Sequence, residues 1–335
     1  MDTVALEKVI AETEFSGVVK IVDASGTLFE SATGLASRRW NVPVALDTRF
    51  DTASITKLFT AVAVLQLVET GELDLEASIH DYVDLDDTTI SPKVTLLHLL
   101  THTSGVADDV DEEAGESYDE LWSRVPVYTL TETIDLLATF AQKPAVTEPG
   151  VEPYYSDSGY VLAGLALESV TERRYRDVVT SAIFDVADMP GTGFWDRRSD
   201  APAIAEGWNK SDDGTWTESV FATPPIGNPA SGAQATADDL LAFLRSLRSG
   251  GLLTAEMTEE FLTPQVEFDE DLFYGFGLEF DLDDDGEVRS YYADGVGAGS
   301  SGIVRHYPAA GVDVVVLSNS EDGAWDVVRE IDGNF

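Results

Sequence analysis

The chain opens with acids interleaved among apolar residues at helical spacing, MDTVALEKVIAETEF, and then changes period. FSGVVKIV and TLFESATG, separated by DASG, read as two strands and a turn, an N-terminal hairpin. β-rich sequence returns at the far end in FYGFGLEFDL, EVRSYYAD, GIVRHYP and VDVVVLS, with turns at DDDG and PAAG, and an amphipathic helix over 322–331 follows. Between the two ends, VTLLHLLTH, VPVYTLTETIDLLATFA, GYVLAGLALESV and ATADDLLAFLRSLRSGG carry apolar residues at helical spacing, the last with Thr236 as cap and Gly250 as stop. Strands at both termini around helices predict an α/β (α+β) fold whose antiparallel sheet is completed by both chain ends. The expected division is a discontinuous sheet-bearing part, residues 1–75 and 225–335, and an inserted, mainly helical part, residues 76–224.

Composition narrows the function classes. The 335 residues include no cysteine, which excludes a disulfide scaffold, thiolate metal ligands and a cysteine nucleophile. With 44% apolar residues the chain has enough material for a core, so disorder is not the reading. Sixty-two Asp+Glu against 20 Lys+Arg leave a formal charge of −42, whose field repels nucleic acid and anionic lipid. The most apolar run, LFTAVAVLQLV at 58–68, is shorter than the roughly 18 residues of a membrane span. The N-terminus shows neither a basic n-region nor an apolar h-region. The expectation is a soluble, cytoplasmic protein that binds neither nucleic acid nor membrane. Nothing in the sequence sets an oligomeric state.

Of six lysines, one has a serine three residues before it: Ser54-Ile55-Thr56-Lys57. The motif opens an apolar stretch free of Gly and Pro until Gly71, which predicts a buried helix with Ser54 in its first turn. Residues three apart share a helix face, so the Lys57 amine can reach the Ser54 hydroxyl. The helix N-terminus places a positive end and free N–H groups beside the serine, where an oxyanion would develop. A lysine in apolar surroundings can lose its proton and serve as a base. The motif alone equally fits a capping serine and a lysine that snorkels to solvent.

The wider context resembles the serine β-lactamase and penicillin-binding-protein family, in its class C and esterase-like branch. FDTASITKLFTAVAVLQLVETGELDLEASI is similar to that family's nucleophile helix, VTLLHLLTHTSGV to its LLTHTSG segment, and EPGVEPYYSDSGYVLAGLALESV to its second motif region. PASGAQATADDLLAFLRSLRSGG and the C-terminal hairpin complete the likeness, in order, from about Phe15 to Asn319. The resemblance implies the β-lactamase/transpeptidase-like fold, with Ser54 as acylated nucleophile, Lys57 as its proton partner and Tyr155 as the phenol that shuttles a proton to the leaving group. It implies no metal and no organic cofactor. The third motif, Lys or His followed by any residue and Gly, matches Ala293-Asp294-Gly295. The N–H of Val296 would then join that of Ser54 as the oxyanion hole.

Two departures change the expected chemistry. Asp157 stands where the family usually has Asn, and a carboxylate there favours a charged Lys57, shifting the base role towards a Tyr155 phenolate. Ala293 replaces the cation that helps hold a substrate carboxylate, and a slip of one residue would bring Asp294 there, equally without a cation. The favoured reading is therefore a serine hydrolase acting as an esterase on small neutral or cationic esters or amides. A peptidase or amidase on small or D-configured substrates comes second and β-lactam hydrolysis third. A non-catalytic binding protein that keeps the fold is the alternative from another class.

Other polar residues carry weaker signals. His98 and His102 lie four apart but lack the HExxH glutamate and a third ligand, so structural roles are expected, and His80 and His306 give no signal. DLDDDG at 281–286 mimics the start of a calcium loop, but Tyr292 occupies its twelfth position, so a hairpin turn is expected. Trp122, Tyr128, Trp195, Trp208, Trp216, Phe221, Phe273 and Tyr274 lie in or near loops that could wall a pocket. The acid run at 108–120 reads as a solvated loop at the cleft mouth, or as a lid that steers cations inward.

The acid excess is spread along the chain, which describes a solvated coat suited to a salt-rich cytoplasm. Molar salt shortens the Debye length to roughly 3 Å and screens the repulsion within such a coat. The melting temperature is therefore expected to rise with KCl. A flat or falling dependence in a thermal-melt series would oppose the salt-adaptation reading.

Overall fold

The computed structural model describes residues 2–335 apart from 112, 113, 200, 202, 212, 270, 271 and 284. Helix α1 (Thr3–Glu12) leads into β1 (Gly17–Asp23) and β2 (Gly26–Thr33), the expected hairpin. The long helices α2 (Thr56–Thr70), α3 (Asp157–Thr171) and α4 (Ala237–Arg248) come next. Strands β3 (Val266–Asp269), β4 (Leu272–Tyr274), β5 (Glu279–Leu282), β6 (Val288–Gly297), β7 (Ser300–Tyr307) and β8 (Val312–Ser318) precede the last helix, α5 (Trp325–Asp332).

These eight strands form one antiparallel sheet in the order β2-β1-β8-β7-β6-β5-β4-β3. β1 pairs with β8 along its length, Val19 opposite Val316, so the two chain ends meet within the sheet, second and third from one edge. Both faces are covered, and alternation along each strand sorts its side chains between them. Val19, Ile21, Ile303, Val314 and Val316 pack under α1 and α5, whereas Val18, Val304, Val315 and Leu317 join the larger core around α2, α3 and α4.

Helix α2 is apolar on every side because it lies inside that larger core, with each residue from Thr56 to Leu65 buried. Gly71 ends it with φ +77°, a left-handed cap that costs glycine little. The segment 53–70 is long and apolar enough for a membrane span, beyond what the 58–68 run suggested, but two-thirds of it is packed inside the protein. Phe59 anchors it, edge-on to Phe184 at 5.0 Å and to Phe243 at 5.1 Å.

Two sequence expectations are corrected. The stretch 125–141 is not one helix but the turns Val127–Thr129 and Thr133–Leu136 followed by the short helix Leu137–Phe140. The Asp135 carboxylate accepts from the N–H groups of Thr131 and Glu132, capping the chain where a longer helix would need helical hydrogen bonds. FYGFGLEFDL is two strands, because Gly275 donates its N–H to the Leu278 carbonyl and Gly277 turns the chain at φ +75°. The mainly helical middle also carries a hairpin, Trp208–Lys210 with Trp216–Glu218.

DLDDDG does form a hairpin turn between β5 and β6: the Asp283 carboxylate accepts from the N–H groups of Asp285 and Glu287, while Asp284 lies outside the described residues.

Phe59→Ala removes the ring that joins α2 to two neighbouring aromatics, and about 3–5 kcal/mol of stability should be lost. Chemical denaturation at fixed KCl checks this; a loss below about 1 kcal/mol would mean that the site collapses freely around the missing ring.

Candidate active site

Ser54 sits in a single 3₁₀ turn, Ala53–Ile55, immediately before α2. Ala53 has φ +43°, a left-handed conformation that costs a non-glycine residue roughly 1–2 kcal/mol. The Asp51 carboxylate holds the kink by accepting the Ala53 N–H at 2.8 Å, and Asp51 is itself paired with Arg197. On the other side, β6 presses against the same turn at Gly295. A Cβ on Gly295 would lie 2.3 Å from the Thr52 carbonyl oxygen and 3.0 Å from the Ser54 nitrogen. Only a residue without a side chain allows the strand this close to the Ser54 N–H.

One turn further, Lys57 is 1% exposed, and its ammonium group has three acceptors. Nζ donates to Ser54 Oγ at 2.9 Å, to Asp157 Oδ1 at 2.5 Å and to the Ala230 carbonyl at 3.0 Å. The snorkelling alternative is thereby removed: the amine points inward to the serine. Asp157 is the first residue of α3, whose N-cap Ser156 accepts the Gly159 N–H. Ser156 in turn donates its own N–H to Nδ1 of His102, a buried residue at φ +56°.

Tyr155 stacks on the His102 ring at 4.3 Å and places its ring 4.9 Å from Lys57 Nζ. Burial raises its pKa well above the ordinary phenol value, and the Asp157 carboxylate adds to the rise, while the neighbouring Ser54 side chain opposes it. The phenol is thus protonated at rest, which differs from the expectation of a ready phenolate. The same carboxylate that accepts from Lys57 also repels a negative charge on Tyr155. Burial, together with the Lys57 charge, drives the His102 pKa well below its usual value, so this ring is neutral.

Ser54, Asp157 and Val296 open onto one cavity of about 470 Å³. Ala293, Asp294 and Gly295 do not line it. Ala293 lies opposite Val304 and belongs to the main core, whereas Asp294 lies opposite Ile303, which packs on the far face of the sheet. The register thus puts alanine, not aspartate, on the face towards α2. Asp294 instead neighbours Glu279, whose pKa burial and the Asp294 charge push up to about 8.

The remaining lining combines Trp122, Leu136, Phe140 and Val161 with Asn228, Ser231 and the acids Asp109 and Glu321. No lysine, arginine or histidine lines it among the described residues. A larger neighbouring cavity of about 690 Å³ does hold Arg39, Arg197 and Arg198, but these pair with Glu218, Asp51 and Asp196.

The other sequence candidates fall into place around this centre. His98 completes a capping box with Thr95, His80 meets the Ile90 carbonyl, and His306 pairs with Asp313 at 2.7 Å. Trp122 lines the cavity; Trp195 and Trp216 lie under Arg49 and Arg38. Within the acid run, Glu112 and Glu113 are outside the described residues. Asp108 accepts from the Ser158 N–H and hydroxyl, and Asp109 faces the cavity, so neither is a freely solvated acid. Sequence reading missed Ala230, whose carbonyl holds Lys57, and Asn228, which orients that loop by accepting the Ala230 N–H. The clustering of PASG after a Pro-rich stretch was the available signal, but a backbone acceptor has no side-chain signature.

Comparisons with known proteins bear on the family and the fold. A family model described as Beta-lactamase matches residues 5–333. Penicillin-binding protein 4 of Amycolatopsis lactamdurans is 24% identical over 97% of this chain and 87% of its own length. Esterase EstB of Burkholderia gladioli is 34% identical over 56% of this chain, a match spanning 49% of the esterase. The solved structure of a penicillin binding protein from Bacillus halodurans has a TM-score of 0.93 at 33% identity, covering 98% of this chain and all of that one.

Gly295→Ala should force β6 and the Ser54 turn apart, at a cost of about 1–3 kcal/mol. The melting temperature should fall while far-ultraviolet circular dichroism stays native; an unchanged melting temperature would mean that the close approach is not needed.

Proposed function

The chain belongs to the beta-lactamase family and is a serine hydrolase, and from this premise we propose that it is an esterase working through an acyl-enzyme on Ser54. The observation that carries the reading is the bridge from Lys57 Nζ to both Ser54 Oγ and Asp157 at the wall of a solvent-reaching cavity. In acylation the Ser54 oxygen bonds to the substrate carbonyl carbon as its proton passes to Lys57, which hands a proton across the 2.5 Å contact to Asp157. Tyr155, neutral at rest, donates its proton to the leaving alkoxide and regains one from Lys57, which recovers it from Asp157. The N–H groups of Ser54 and Val296 stabilise the oxyanion, a role supported by the close packing of β6 on the Ser54 turn. Water then repeats the sequence to release the acid.

The substrate class follows from charge. The cavity lining offers no cation to a substrate carboxylate, and Ala293 supplies none from the third motif. Small neutral or cationic esters fit better than penicillins or peptides with a free carboxylate. Amide or peptide bonds of small D-configured substrates are the second reading: a D-stereospecific amidohydrolase from a Streptomyces species has the same fold, with a TM-score of 0.81.

Incubation with a fluorophosphonate in high salt should add mass to the Ser54 peptide of the wild type, and Ser54→Ala should remain unlabelled. Short-chain p-nitrophenyl esters should be hydrolysed at least about 10³-fold faster by the wild type than by Ser54→Ala. Labelling elsewhere, or ester turnover unaffected by the substitution, would overturn the Ser54 assignment. A wild type that neither labels nor turns over esters would favour the binding-protein reading.

A further inference from the structure

One wall of the catalytic cavity has no part in the proton transfers above. Asp109 lies between this cavity and a neighbouring one of about 450 Å³, and no cation is paired with its carboxylate among the described residues. Lys143, the nearby base, donates instead to the Asp109 backbone carbonyl and pairs with Glu116. The Asp109 carboxylate accepts from the Tyr118 hydroxyl at 3.3 Å. The Tyr118 ring packs 5.6 Å from that of Trp122, and Trp122 is pinned by its indole N–H to the Ala222 carbonyl at 2.9 Å. Next along the chain, Thr223 also lines the cavity, and its hydroxyl oxygen is buried without a hydrogen-bond partner. A carboxyl group and two aromatic side chains thus line the cavity that holds Ser54.

We propose that Asp109 is the specificity residue for a positively charged ammonium group on the substrate, with Tyr118 and Trp122 as its aromatic walls. The inference rests on the Ser54 reading and deepens it from neutral or cationic esters to ammonium-bearing ones. Two arguments converge. Aromatic faces attract ammonium ions, and here the half-buried Trp122 lies deeper than Tyr118, which is 41% exposed. Of the other carboxylates nearby, Asp157 is committed to Lys57 and Asp108 to Ser158, and Glu321, which also lines the cavity, is distinguished from Asp109 by substitution. Burial, with the charges of Asp108 and Asp157, pushes the Asp109 pKa up to about 8, so the carboxyl carries its full charge above that pH and a bound cation extends the charged range downward. A substrate anion in this wall would meet the opposite: carboxylates and no compensating base.

The test compares esters that differ only in charge. Butyrylcholine and 3,3-dimethylbutyl butyrate place the quaternary nitrogen, or its carbon isostere, on the leaving group. p-Nitrophenyl 4-(trimethylammonio)butyrate and p-nitrophenyl 5,5-dimethylhexanoate place it on the acyl group. At fixed KCl, wild-type kcat/KM should favour the cationic member of at least one pair by about tenfold or more. Asp109→Asn should cut that ratio by about tenfold, Trp122→Leu should reduce it in part, and Glu321→Gln should leave it standing.

Ratios at or below one in both pairs for the wild type would overturn the proposal, whether or not the variants fold. Loss of the preference in Glu321→Gln but not in Asp109→Asn would overturn the assignment to Asp109. Turnover of the neutral esters without charge preference defeats this inference alone, whereas no turnover of any of the four esters defeats the Ser54 reading beneath it.

Discussion

A buried ammonium group sets the terms for the rest of the molecule. Taking a lysine out of water costs several kcal/mol unless its three N–H bonds are satisfied and its charge is met. For Lys57 the acceptors come from three places far apart in sequence: Ser54 in the turn before its own helix, Asp157 at the start of α3, and the carbonyl of Ala230. Satisfying one cation therefore fastens three segments together. The same fastening orients the serine hydroxyl and leaves it at the cavity edge. Chemistry and packing are one constraint here, because loosening any of the three acceptors would leave a charge in the core with too few partners.

Around this centre the backbone is held in unfavourable shapes by neighbours. Ala53 is left-handed because Asp51 takes its N–H, and Gly295 lets β6 lie against the Ser54 nitrogen. Such strain persists only where the surroundings over-determine it. The sheet supplies that rigidity: β6 is paired with β7 through Gly295 itself, opposite Gly302, and with β5 as far as Tyr292. His102, also left-handed, fixes the other wall by accepting the Ser156 N–H and stacking on Tyr155.

Charge acts at two scales. Over the whole chain the −42 excess sets a long-range field that repels anions. Inside the cavity, the absence of basic lining residues among those described is a property of placement, since arginines next door are consumed by Asp51, Asp196 and Glu218. The first could be counted from composition; the second could not.

Much of the fold was legible in the chain because it rests on local rules. Alternation marked the hairpin at 17–33 and the closing strands, and the Ser54-to-Gly71 stretch announced a buried helix with a lysine on the serine's face. Cap chemistry at Thr236 was read correctly for the same reason: each cap needs only neighbours in sequence. Failures came where side chains compete for backbone groups, as Asp135 does in breaking 125–141, or where glycine turns a strand back on itself at 275–277. Beyond these, three outcomes waited for the fold: a Tyr155 phenol pushed towards its neutral form, Ala293 rather than Asp294 on the face towards α2, and Asp109 in the cavity wall. Each is a sum over groups brought together from distant parts of the chain. Potentials and facing directions depend on distance in space, and that distance comes into being only when the sheet closes around α2.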